Sequence, residues 1–175
     1  SAKLVFDAKE FSFVADWYHL VIKQLASVKN QKMDENSLYI KMRNKVTRAE
    51  IRKALENLVS LGIISKKNRS DQYNVLKDSF TTTNDIPSEA IRLHHKQMMQ
   101  RAQESLEEQN VFEREITSST LRFDVDRMNE VKQAIRDFKE NFERNFGSSE
   151  ANHIYQFNMQ FFSHTDLKNK GTQNE

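Results

Sequence analysis

The stretch Val46-Thr47-Arg48-Ala49-Glu50-Ile51-Arg52-Lys53-Ala54-Leu55-Glu56-Asn57-Leu58-Val59-Ser60-Leu61-Gly62-Ile63-Ile64 decides the reading of this chain. Thr47 is a good helix N-cap, and Glu50, three residues on, completes a capping box. Apolar residues then recur at Ile51, Ala54, Leu55, Leu58, Val59 and Leu61, the spacing of a helix with one buried face. Gly62 suits the position just past a helix end, where the backbone turns left-handed. Ile63-Ile64-Ser65 resumes as a strand, Lys66 to Asp71 is a polar, basic turn, and Gln72 to Leu76 returns as a second strand.

Upstream, Lys9 to Lys29 has helical spacing at Phe13, Trp17, Leu20, Val21 and Leu25. Asn30 to Asp34 is a polar break, and Asn36 to Arg43, with Leu38, Ile40 and Met42, reads as a short helix because of its flanks. Helix, helix, helix, strand, basic turn, strand is the order of a winged helix-turn-helix, here spanning roughly Phe11 to Val75. In DNA-binding examples the third helix enters the major groove and the wing touches the backbone. The same fold also binds proteins, so the order specifies a fold more firmly than a partner.

Downstream, Lys77 to Pro87, with three consecutive Thr, reads as a connector, and Pro87 fits the first position of a helix over about Ser88 to Gln109. The apolar positions of that helix are Ile91, His95, Met98, Met99, Ala102 and Leu106. Arg114 to Asp124 is strand-like. Asp124 can cap a helix over Val125 to Phe146, whose stripe is Met128, Val131, Ile135, Phe138, Phe142 and Phe146, with Gly147 as its stop. Asn152 to Phe162 alternates, with Tyr155, Phe157, Met159 and Phe161 on one face and Gln156, Asn158 and Gln160 on the other. Strand, helix and strand predict a right-handed βαβ unit. The polar end, 167–175, is expected to be disordered.

Three runs carry a family resemblance: Ile91-Arg92-Leu93-His94-His95-Lys96-Gln97-Met98-Met99, then Arg114-Glu115-Ile116-Thr117-Ser118-Ser119-Thr120, then His153-Ile154-Tyr155-Gln156-Phe157-Asn158-Met159-Gln160-Phe161-Phe162. In that order the chain resembles, over nearly its whole length, a bacterial family of proposed transcriptional regulators. The family is best represented in predatory and cellulose-degrading bacteria, and its shared region is a domain of unknown function. The chain departs from it at Ser163-His164, where relatives tend to carry Pro and a hydrophobe. The resemblance implies a further helix-turn-helix upstream. The opening Ser1-Ala2, without Met, fits an expectation of residues before it.

Composition narrows the function classes. The 175 residues carry 27 Lys and Arg against 25 Asp and Glu, a net charge of +2 that permits a nucleic-acid partner without requiring one. With no Cys, disulfides, thiolate metal sites and a Cys nucleophile are excluded. Twelve Phe supply a core, while 3 Gly and 1 Pro favour long helices. No apolar run approaches the ~20 residues of a membrane span, and no signal peptide is present, so a cytoplasmic protein is expected. With no phosphate loop, nucleophile elbow or zinc motif, neither catalysis nor a cofactor is expected.

The candidate DNA contacts are Lys45, Arg48, Arg52 and Lys53 around the third helix, and Lys66, Lys67 and Arg69 in the wing, with Asn57 and Asn68 as polar additions. Glu50 and Glu56 on the same helix oppose phosphate and can pair with Lys53, which makes a solvated face the competing reading. His95 falls on an apolar stripe and lacks ligand spacing, so a hydrogen-bonded core histidine is expected, and likewise for His19, His153 and His164. Arg114, Glu115, Ser118, Ser119 and Thr120, with Gln156, Asn158 and Gln160, could share a sheet face and hold a small effector, although plain solvent exposure is the stronger reading.

The expected architecture is a mainly helical α+β chain: a winged-helix domain over 8–83, then a long linking helix plus βαβ unit over 84–166 for dimerisation or sensing. The expected function is transcriptional regulation by DNA binding, as a homodimer. The alternative is a protein-interaction or small-ligand sensory module whose winged helix does not touch DNA.

Overall fold

The computed structural model describes residues 4–6, 8–67, 70–77, 80–82 and 88–166. The chain is α+β and mainly helical. Strand β1 (Leu4–Phe6) is followed by helices α1 (Ala8–Ser12), α2 (Trp17–Leu25), α3 (Glu35–Lys41) and α4 (Arg48–Ser60), then strands β2 (Ile64–Lys66), β3 (Tyr73–Val75) and β4 (Phe80–Thr82), and the long helices α5 (Glu89–Glu108) and α6 (Met128–Phe146).

The α4 start forms as its sequence dictates. The Thr47 hydroxyl accepts the Glu50 amide at 3.3 Å, and the Glu50 carboxylate accepts the Thr47 amide at 2.8 Å. These bonds satisfy amides that a helix start otherwise leaves open. At the other end Gly62 takes φ +64°, where an L side chain would be strained. The chain then enters β2, which pairs antiparallel with β3, Ile64 opposite Val75. Met33 also donates its amide to the Asp71 carbonyl at 3.0 Å, tying the loop before α3 to this hairpin.

Phe11, Val14, Ile22, Leu25, Leu38, Ile51, Leu58, Ile63 and Ile64 belong to the main core, which draws on α1, α2, α3, α4 and the hairpin. Val14, Ile22, Leu38, Ile51, Leu58 and Ile63 are fully enclosed. At about 25 cal/mol per Å² of apolar area this cluster is the main source of the unit's stability.

Several expectations change. The helix expected over Lys9 to Lys29 is two helices, broken at 13–16. The break rotates the buried set to Phe11, Val14, Ile22 and Leu25 and leaves Phe13 half exposed. A parallel pair, β1 with β4 (Leu4 opposite Phe80), occupies part of the stretch read as a connector. Ser88, accepting the Ile91 amide, is the N-cap of α5, so the helix starts after Pro87 rather than on it. Pro87 itself lies outside the described residues.

The largest correction is the βαβ unit. Its helix forms, with Asp124 accepting the Asp126 amide at its entrance. Its two strands do not: no strand occurs between Arg114 and Asp124 or between Asn152 and Phe162. The alternating pattern fixes which side chains share a face, but a strand also needs a backbone neighbour. Neither segment has one among the described residues. Residues 167–175 lie outside the described residues.

Candidate nucleic-acid interface

α4 buries Ile51, Ala54, Leu55 and Leu58 against the core and turns Arg48, Arg52, Lys53 and Glu56 outward. The outer face lies beside the β2–β3 hairpin, and an open groove of about 800 Å³ separates them. Arg48, Arg52 and Lys66 line it together with Asp34, Glu35, Glu56 and Asp71.

The cations expected to contact DNA do not form one uniform positive face. Arg52 donates to both oxygens of Glu35, at 2.6 and 2.9 Å. This fork holds the Glu35 carboxyl below its ordinary range and raises the Arg52 guanidinium. Arg48 donates to the Asn36 side-chain oxygen at 2.8 Å and stacks 4.2 Å above the Tyr39 ring. Lys53 stands 3.7 Å from Glu56, the surface pair weighed from sequence.

Lys45 belongs to a different surface. Its ammonium bonds Glu108 and stands 3.8 Å from Glu104, both on α5. Asn57 also turns inward, donating to the Phe13 carbonyl at 3.1 Å and meeting His19 Nε2 at 3.2 Å. It therefore locks α4 to the α1–α2 turn and is removed from the candidate contacts. Lys66 and Lys67 are exposed and form no ion pair with a described residue. Arg69 and Asn68 lie outside the described residues.

α5 is docked on the N-terminal unit rather than serving as a free linker. Asp16 is the N-cap of α2, yet its side chain does not cap the helix. Gln97, eighty residues on, accepts the Trp17 amide at 2.9 Å and donates to Asp16 Oδ1 at 2.8 Å. His94 Nδ1 lies 2.7 Å from the Ala15 carbonyl, and the Arg101 guanidinium stacks 4.4 Å over Trp17. The inward face of α5 therefore runs through Ile91, His94, Gln97, Met98 and Arg101.

That phase overturns the core reading of His95, which is exposed, as are His153 and His164. His19 is the core histidine expected: it is 3% exposed, with Nδ1 3.1 Å from the Asp16 carbonyl. Burial lowers the pKa of both His19 and His94, so each imidazole resists protonation in the fold.

The residues suggested for an effector site do not share a sheet face. Arg114 reaches back to the Gln109 and Leu106 carbonyls at the end of α5, and Asn158 donates to the Met98 carbonyl at 3.1 Å. Ser118, Ser119 and Thr120 are exposed. Among the described residues, no group of three or more His, Asp or Glu is placed to hold a metal ion, and no helix is long and apolar enough to cross a membrane.

The chain belongs to the family described as a domain of unknown function (DUF4423), whose model matches residues 1–163. No curated protein and no solved structure matches it.

Proposed function

We propose that the chain is a DNA-binding transcriptional regulator in which α2, α3 and α4 with the β2–β3 hairpin act as a winged helix-turn-helix, in a binding role rather than a catalytic one. One observation carries the reading: α4 presents a solvent-exposed outer face, and Arg48 and Arg52 on it line the same open groove as Lys66 of the hairpin. A recognition helix and its wing need that arrangement, one element for the major groove and the other for the adjacent phosphates. The Arg52–Glu35 fork does not block it, because an exposed ion pair is weak in water and phosphate can compete for the guanidinium. A regulator of this kind works as a homodimer on two-fold operators, with region 84–166 pairing the copies.

The test is binding to generic duplex DNA over a salt series. The expected result is an affinity that falls with salt as counterions are released, with the slope reduced by about two in the Lys66→Glu/Lys67→Glu double variant. Absence of binding even at low salt overturns the proposal for this chain.

A second reading is favoured by the four carboxylates that share the groove with the three cations. In it the groove docks a protein or effector carrying basic groups, and α4 never meets DNA. Glu35→Gln separates the two. Freeing Arg52 strengthens DNA binding in the first reading and leaves it absent in the second.

A further inference from the structure

We infer that residues 111–163 form a pairing arm completed by a second copy of this chain, whose own arm supplies both a strand edge and an apolar cover. The inference does not depend on DNA contact. It goes beyond region 84–166 as a pairing region by naming the surface and the mode of pairing.

Three observations converge. First, α6 carries a strongly apolar stripe, yet none of its residues is buried. Phe138 is 51% and Phe146 72% exposed. Phe157 covers part of the stripe, stacking on Phe142 at 4.6 Å between ring centres, and Phe161 meets Phe123 edge-on at 5.0 Å. That is a single layer over a helix, and a stable unit buries its apolar face between two.

Second, the two segments with strand-like patterning lack strand neighbours. No residue from 115 to 123 or from 152 to 162 makes a backbone–backbone hydrogen bond with a described residue. Large side chains beside the unpaired backbone face water, Tyr155 at 73% and Phe162 at 68% exposure. Unpaired backbone beside alternating apolar side chains is a template for strand pairing with another chain.

Third, large apolar side chains are left open along the length of the arm. Phe112 is 94%, Val111 62%, Leu121 58% and Ile116 48% exposed, in addition to those on α6 and the last segment. Obligate homodimers cover apolar faces of this kind, burying on the order of 2,000–5,000 Å² in total.

A second copy fits the vacancy because the arm is self-complementary. It offers the two things it lacks, an unpaired strand-like segment and an apolar helix stripe, and a two-fold axis lets each copy supply them to the other. Charge permits this, since the four carboxylates of α6 are matched by four Lys and Arg, leaving no net repulsion between like helices.

The experiment is sedimentation equilibrium on the full chain, with Tyr155→Asp/Phe162→Asp as the variant and circular dichroism as the check on folding. The expected result is a mass twice that of one chain for the wild type and a single-chain mass for the variant, with unchanged helix content. Thr120→Pro, which removes a backbone donor from the other segment without touching the apolar face, is the second variant and is also expected to be monomeric.

A monomeric wild type overturns the inference, because the arm is then covered by a different protein or by residues outside this sequence. A wild-type dimer that survives both variants overturns it too, because the copies then meet elsewhere. DNA binding by a monomeric wild type sinks the arm while sparing the regulator reading, so the two fail separately.

Discussion

The N-terminal unit and the C-terminal arm use similar sequence devices with opposite results. α4 and α6 are both amphipathic helices, and each lies beside segments with strand-like patterning. α4 buries Ile51, Ala54 and Leu58 completely, whereas α6 buries nothing. The difference lies in the neighbours. α4 has α2, α3 and a closed hairpin around it, while among the described residues α6 meets chiefly a short 3-10 turn at its entrance and an unpaired segment across part of its face. An apolar stripe records that a face is to be covered, and the fold alone determines whether the cover lies in the same chain.

Substitutions can sharpen that contrast. The largest effect is expected from Leu58→Ala, which opens a cavity in a fully enclosed site and costs about 2–5 kcal/mol. Phe146→Ala deletes a larger side chain, but in a dilute, single-copy sample it changes stability by less than about 0.5 kcal/mol. Denaturant unfolding of the two variants side by side checks both. Equal losses would erase the distinction between the regions.

The next effect tests the joint between α5 and the N-terminal unit. Gln97→Ala leaves the Trp17 amide and the Asp16 carboxylate without that partner, at a cost of about 1–3 kcal/mol in the same measurement. A loss no greater than that of an exposed α5 position such as Lys96→Ala would mean that α5 is not anchored there.

The pH dependence follows from the same joint. His19 and His94 ionise less readily in the fold than in the unfolded chain, where 6.5 is the ordinary value. As pH falls the unfolded chain therefore takes up protons first. The contribution to stability is complete above about pH 6.5 and declines below it. The melting temperature should fall on acidification, and His94→Gln should flatten that fall. An unchanged slope in the variant would remove His94 from the account.

The smallest effect is expected from Thr47→Ala, which loses the capping box for about 1 kcal/mol. Thr47→Ser, which keeps an acceptor at that position, should restore most of it.

What was legible in the sequence tracks how local the physics is. The Thr47–Glu50 box and the Gly62 turn involve residues at most four apart, and both appear as expected. Gln97 capping α2 from eighty residues away leaves no local trace, because a lone Gln on a helix looks like solvent-facing polarity. The same blindness shifted the inward face of α5 from His94 to His95, since the face is held by polar groups and not by an apolar stripe. β1 and β4 are three residues each and pair across more than seventy, too short to announce themselves. Among the expected DNA contacts, the helix placement of Arg48, Arg52 and Lys53 was readable. The neutralising Glu35 and the diversion of Lys45 to Glu108 depend on tertiary packing. In the arm, alternation was readable and the missing partner was not.

The contrast between a complete unit and an incomplete arm is tested most directly by amide hydrogen exchange along the full chain at two protein concentrations. Protection in α2 and α4 should be the same at both. Protection at 115–123 and 153–161 should appear at the higher concentration and disappear on dilution. Equal protection of those segments at both concentrations would show that the arm is closed within a single chain and would contradict the account.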